Sequence, residues 1–323
     1  MARAKITGVQ FYNPEIKEKF LSEQKDTVRN NLVVLFRNVK DFEERKKKDL
    51  YAFTFQEIEE YYRYLNKTSV KGIMVVHNSV RRYIRWAYAK GLINHYEVRL
   101  EDVMEGNIGK YCNQVMMKAV IIDRETIIGW TERLRKDFDF YNPRDSFLIL
   151  APYEGIAGYM LNELTAMKRT DFVKKGNQVY AKLPDRTIPI SQELHDIARE
   201  AVLEEKYYVN RNKHGTLNTY TLEKSNNIVR LIQGRNSKHF GYNNIVKQVK
   251  QALTLVDADY ITIKHIITSG KIHMIRQKAK EHGLSERDYM WSQFFKDEVC
   301  YQFHMDDENV YNHVNSFKIL MGL

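Results

Sequence analysis

The sequence predicts a mainly α-helical protein of two domains, residues 1–118 and 119–323, with a small three-stranded antiparallel sheet in the second. Three observations predict it. Apolar residues recur at helical spacing behind capping residues through most of 15–105, and an apolar helix returns at 147–151. Short alternating runs separated by turn residues fall at 172–190. At 323 residues the chain can bury two cores of ordinary size, and a mixed segment with Gly106 and Gly109 lies between the helical tracts.

Composition bounds the partners. The formal net charge of +10 suits a polyanion such as nucleic acid. Cys112 and Cys300 form neither a CxxC pair nor a disulfide framework, so they fit buried thiols in a reducing compartment. The first residues contain no apolar signal-peptide core, and no run of about eighteen apolar residues occurs, which argues against secretion and membrane spanning. With 5 prolines and no low-complexity tract there is little room for long linkers.

The first helices follow from their apolar spacing and caps. Thr27 is a candidate cap for a helix carrying Val28, Leu32, Leu35, Phe36, Val39 and Phe42, which ends in the basic run Arg45, Lys46, Lys47, Lys48. Thr54 and Glu57 make a capping box ahead of Ile58, Tyr61, Tyr62 and Leu65. Residues 66–69 then break the pattern and cap a helix over 70–90. Its expected buried face is Ile73, Val76, Val80, Tyr83, Ile84 and Ala87. Asn78, Arg81, Arg82 and Arg85 fall at i, i+3, i+4 and i+7 and form one exposed stripe. Residues 70–94 contain no Asp or Glu to balance it, so the stripe suits phosphates and base edges better than a salt-bridged solvent face. Lys46, Lys47 and Lys71 join it as candidate DNA contacts.

In the second half, Asp123 is a candidate N-cap. A turn at 174–177 and Pro184-Asp185 separate three strand-like runs, and Ser191 caps the helix that follows. The segment 207–245, with Arg211, Lys213, Arg230, Arg235 and Lys238, reads either as a phosphate-contacting region or as a solvated loop with a short helix at 226–232. Arg235 and Lys238 are taken as candidate contacts. His265, His273 and His282 lack a ligand spacing, and Ser269-Gly270-Lys271 lacks the glycine run of a P-loop, so neither a metal nor a cofactor is expected.

Residues 147–172 read as an apolar helix, then Glu154-Gly155-Ile156-Ala157-Gly158, then Glu163-Leu164 and Asp171-Phe172. This resembles the first signature box of the tyrosine recombinases, the phage integrase family: apolar helix, Gly-Leu-Arg, Glu-Leu, then Asp opening a small sheet. Arg186-Thr187-Ile188-Pro189-Ile190 is similar to that family's third strand. Residues 261–270 align without gaps with its second box, and Val310-Tyr311-Asn312-His313-Val314 is similar to the nucleophile segment. Tyr83-Ile84-Arg85-Trp86-Ala87 resembles the end of its N-terminal core-binding domain. The resemblance implies a SAM-like helical domain that grips one face of a DNA duplex and a tyrosine-recombinase-like α+β domain that closes on the other.

The same resemblance marks what has changed. The arginine position of the first box is Ala157, and 147–167 holds no arginine. In the second box the histidine and arginine positions are Lys264 and Ile267; shifting the register by one gives His265 and Thr268. Lys182 is the nearest candidate for the sheet lysine, though it also reads as a plain strand lysine. His304 stands for the third box and Tyr311 for the nucleophile, with Tyr301 the poorer alternative. In the family the arginines clamp the extra negative charge of a pentacoordinate phosphorus, and losing one such preorganised donor costs on the order of 10²–10³ in rate. Arg186, Lys264 and Lys271 then serve as expected DNA contacts rather than catalysts.

An integrase scaffold stripped in this way resembles the lysogeny repressors of SPβ-like temperate phages. That implies a sequence-specific double-stranded DNA-binding repressor of lytic genes, acting at operator-like elements in the host cytoplasm and released through an antirepressor or another regulatory protein. An active integrase with Arg169 or Arg276 displaced into the site, and an accessory protein for another recombinase, remain the alternatives.

Overall fold

The computed structural model describes residues 11–68, 70–96, 100, 108–136, 142–210, 217–234, 241–306 and 310–323. The chain divides into two compact units, Met1–Lys118 and Ala119–Leu323.

In the first unit the order is α1 (Pro14–Ser22), α2 (Asp26–Lys46), a 3₁₀ turn (Leu50–Ala52), α3 (Phe55–Tyr64), α4 (Val70–Ala89) and α5 (Gln114–Ala119), which runs across the division. The Thr54–Glu57 capping box forms, Thr54 N–H donating to Glu57 Oε2 at 2.8 Å and Glu57 N–H to Thr54 Oγ1 at 3.3 Å. Thr27 does not cap α2. The helix begins at Asp26, whose carboxylate suits the positive end of the helix dipole. Ser69, the last of the expected caps for α4, lies outside the described residues. Phe20, Phe36 and Tyr83 fill the core with edge-on and tilted ring contacts. Lys17 is fully buried beside them, its Nζ 2.5 Å from Glu43 and 3.7 Å from Asp49, and this triad ties α1 to α2 and the 3₁₀ turn. On α4 the buried face is Val70, Ile73, His77, Val80, Tyr83, Ile84 and Ala87. His77 takes the inner place expected of Val76, and its Nδ1 bonds the Tyr62 hydroxyl at 2.9 Å.

The second unit is built around α7 (Pro143–Tyr153), every residue of which is buried. A helix wrapped on all sides needs apolar residues all round, and 147–151 supplies them. Around it lie α6 (Arg124–Lys136), α9 (Gln192–Leu203), α10 (Tyr242–Leu255) and α11 (Ile263–Glu281), with α8 (Asn162–Ala166) following α7. Asp123 caps α6 through Thr126 N–H at 2.7 Å. Gly270 on α11 lies against the Tyr153 carbonyl oxygen, where a Cβ would collide with backbone. The chain ends in α12 (Glu286–Met290), a π-helical turn (Phe295–Cys300) and α13 (Val310–Met321).

Strands β1 (Phe172–Lys175), β2 (Gln178–Lys182) and β3 (Thr187–Ile190) form the expected antiparallel sheet in the order β1-β2-β3. Val179 faces Ile190 and Ala181 faces Ile188, so alternate residues turn into the core. A second hairpin, β4 (Lys206–Asn210) with β5 (Leu217–Thr221), was not legible in the sequence. Residues 226–232 form no helix; they give single bridges from Asn227 to Lys168 and from Ile232 to Leu222. Asn142 holds β4 by both ends of its amide, donating to Tyr208 O at 2.7 Å and accepting from Tyr208 N–H at 3.0 Å. Beneath the hairpin is a buried ionic cluster. Arg144 lies 3.7 Å from the Tyr207 ring centre and donates to Arg230 O, while Arg230 donates to the carbonyls of Ala201 and Glu204. Burial pushes the Asp145 carboxyl up to about 6 and that of Glu204 up to about 8. Arg230 is therefore an internal tie and not the phosphate contact its neighbourhood suggested.

Candidate nucleic-acid interface and recombinase pocket

The exposed side of α4 carries Lys71, Val75, Asn78, Arg82 and Arg85, with Arg81 half-buried beside them. Arg81 donates to Asn78 Oδ1 at 3.4 Å and Arg85 to the Tyr96 hydroxyl at 3.3 Å, contacts that orient the side chains. Lys47 is exposed at the left-handed C-cap of α2. Lys46 is different: its ammonium is 2.6 Å from Glu60, so its charge is already answered within the protein.

The turn after α7 holds Glu154–Gly158, the segment whose sequence resembles the first recombinase box. Ala157 N–H donates to Glu163 Oε2 at 2.9 Å, and Glu163 N–H returns a bond to Ala157 O at 3.2 Å. Gly158, Met160 and Leu161 all adopt left-handed backbone, with φ of 67°, 52° and 62°, a strained arrangement for the last two. Counting back from Glu163-Leu164, Gly158 is the nearer glycine, which makes the exposed Met160 an equal claimant to the arginine position. Neither is arginine.

A guanidinium does reach this place, but from the sheet. Arg186 is buried, and its Nη1 lies 2.6 Å from Glu163 Oε1, 3.0 Å from Asp185 Oδ1 and 3.1 Å from His304 Nδ1. Its Nη2 reaches Glu163 Oε2 and Gly155 O, each at 3.1 Å. Both ends of the fork are thus engaged with the protein, so Arg186 is corrected from a DNA contact to the internal counter-ion of Glu163. Glu163, Asp185 and His304 do bring one ligand atom each within 4.8 Å of one another. The Arg186 guanidinium already supplies the positive charge among them, and the cluster gives no reason to place a metal. Glu163 and Arg186 are 23 residues apart, and no local pattern in the sequence pairs them.

The other candidates scatter. Lys182 is exposed at the end of β2, opposite Thr187. Lys264 is exposed in the first turn of α11, and Ile267 packs against the core. Lys271 is half-buried, its Nζ 5.7 Å from the Phe303 ring centre, and burial lowers its pKa to about 8; it is not an open phosphate contact. Tyr311 lies in the first turn of α13, with its side chain outside the described residues. Arg211, Lys213, Arg235 and Lys238 also lie outside them. The Tyr301 hydroxyl accepts from Thr187 N–H at 3.3 Å. Arg276 is 3.5 Å from Glu286 and Arg169 is exposed. Among the histidines, His265 caps its own helix, His273 packs on Tyr153 and His282 stacks on Phe294, so they do not converge.

Two family models fit this chain: "MrpR, N-terminal core-binding domain" over residues 11–89 and "MrpR, C-terminal catalytic domain" over residues 136–320. The chain belongs to the MrpR family. A relative within reach is the "SPbeta prophage-derived uncharacterized protein YopR" of Bacillus subtilis (strain 168), 22% identical over 289 residues and matched over 84% of each chain. Among solved structures, that of XerA recombinase is 11% identical, aligned over 94% of this chain and 98% of that one with a TM-score of 0.33. This MrpR-family chain has the mainly helical two-unit architecture expected from its sequence: helical first unit, α+β second unit and a three-stranded sheet. Among the described residues no helix is long and apolar enough to cross a membrane.

Proposed function

We propose that this MrpR-family chain is a sequence-specific double-stranded DNA-binding repressor of phage lytic genes, built on a recombinase scaffold whose cutting chemistry is lost. The disposition of its arginines carries this reading. Arg82 and Arg85 are exposed on α4, whose sequence carries no Asp or Glu over 70–94 and suits phosphates, whereas Arg186, the guanidinium nearest the old first box, is locked against Glu163. A phosphodiester at that box would have to displace a buried carboxylate to gain a clamp, and the second-box arginine position is an isoleucine. Binding survives such losses because it rests on charge spread along a surface; transfer to tyrosine does not.

Footprinting on the cognate phage genome, followed by transcription from the protected promoters with and without the protein, tests repression directly. Protection that overlaps lytic promoters and silences them is the expected outcome. For the chemistry, a nicked suicide duplex carrying the footprinted site should yield no covalent adduct. An adduct that vanishes on Tyr311→Phe would instead establish an active recombinase.

A further inference from the structure

The exposed face of α4 has an internal order. Lys71, Val75, Asn78, Arg82 and Arg85 follow one another at i, i+4, i+7, i+11 and i+14, a single stripe along the helix. Its ends are cationic and its middle is not. Val75 is 44% exposed in a helix interior, where a valine has poorer propensity than the lysines and glutamates that usually face water. A purely electrostatic face would place cations there too.

We infer that Val75 and Asn78 form the base-reading centre of this helix, Asn78 pairing with an adenine and Val75 packing on the methyl group of a thymine at the neighbouring base pair. The inference rests on the reading of α4 as a DNA-contacting helix. An asparagine amide matches the N6–H and N7 of adenine in the major groove, and an apolar side chain matches the thymine C5 methyl. Arg81 donates to Asn78 Oδ1 and orients the amide. Three residues of helix rise about 4.5 Å, close to the roughly 3.4 Å between stacked base pairs, so the two side chains meet neighbouring pairs. Lys71 on one side and Arg82 and Arg85 on the other then reach the flanking phosphates. A helix about 10–12 Å across its side chains also fits a groove about 12 Å wide.

The test uses the full-length protein and a duplex containing its footprinted site. Each thymine is replaced in turn by deoxyuridine, which lacks only the methyl, and each adenine by 7-deazaadenine, which lacks only N7. Wild type should lose about five- to tenfold in affinity at one thymine and one adenine on adjacent base pairs. Val75→Ala, which loses both γ-methyls and their reach, should discriminate thymine from uracil less than wild type, whereas Val75→Thr, which keeps one γ-methyl, should still discriminate. Asn78→Ala should lose the 7-deazaadenine effect alone. All three variants should keep the wild-type salt slope. Salt-dependent binding in which these substitutions leave both interference patterns unchanged overturns this assignment only, and points to α4 packing on protein. Failure to bind any duplex overturns the repressor reading with it.

Discussion

Arginines in the two units of this chain have opposite fates. On α4 of the first unit, Arg82 and Arg85 are exposed on a helix whose sequence has no Asp or Glu over 70–94. In the second unit, Arg186 is buried and answers the carboxylate of Glu163 through both arms of its fork. The side chain is the same. What differs is whether a buried carboxylate stands opposite, and that decides whether a guanidinium is held inside the fold or left at the surface.

The largest effect that distinguishes them is on stability. Arg186→Met strands Glu163 as a buried unpaired charge and should cost the second unit about 3–5 kcal/mol. Arg82→Ala should stay within about 0.5 kcal/mol of wild type, as surface changes do. Urea unfolding of both variants measures this; a stable Arg186→Met that no longer binds DNA would erase the contrast. Next in size is the salt dependence of binding. Each of Arg82→Ala and Arg85→Ala should lower the slope of log K against log salt by about 0.9, while Lys46→Ala, whose charge is already paired with Glu60, should lower it less. Equal slopes for all three would mean that exposure and pairing do not sort the cations.

The last contrast is in pH. Burial raises Glu204 to about 8, so the native state keeps a proton that the unfolded chain gives up near its ordinary value of 4.5. Stability from this group therefore falls as pH rises between those values, and Glu204→Gln should flatten the decline. DNA affinity of the folded protein should change little over the same range, because Glu204 lies in the second unit and α4 belongs to the first. Denaturation and binding measured at pH 5.5 and 8 check the pair; an unchanged pH profile in Glu204→Gln would show that the carboxyl is not buried as described.

Local signals were readable wherever neighbours in sequence are neighbours in space. The capping box at Thr54, the alternation that makes the sheet and the wholly apolar centre of α7 all declare themselves within a few residues. Arg186 did not, because Asp185 beside it suggests a solvent-facing turn, while its burial is set by Glu163 and His304, 23 and 118 residues away. The β4–β5 hairpin was hidden for a similar reason: Asn142 and Arg144, at the N-terminal end of α7, hold it from outside its own sequence. Likewise Lys271 reads as a free cation until its place beside Phe303 is known.

Gly270 suggests where a conditional allele would map. Its α-carbon passes the Tyr153 carbonyl so closely that a methyl group has no room, and the two helices it joins at that crossing are the central one and its long neighbour. Gly270→Ala should therefore weaken the second unit while leaving the α4 face untouched. Under the repressor function proposed above, such a variant would hold its operator in cool cells and release it on warming, giving geneticists a thermostat for induction that requires no inducer.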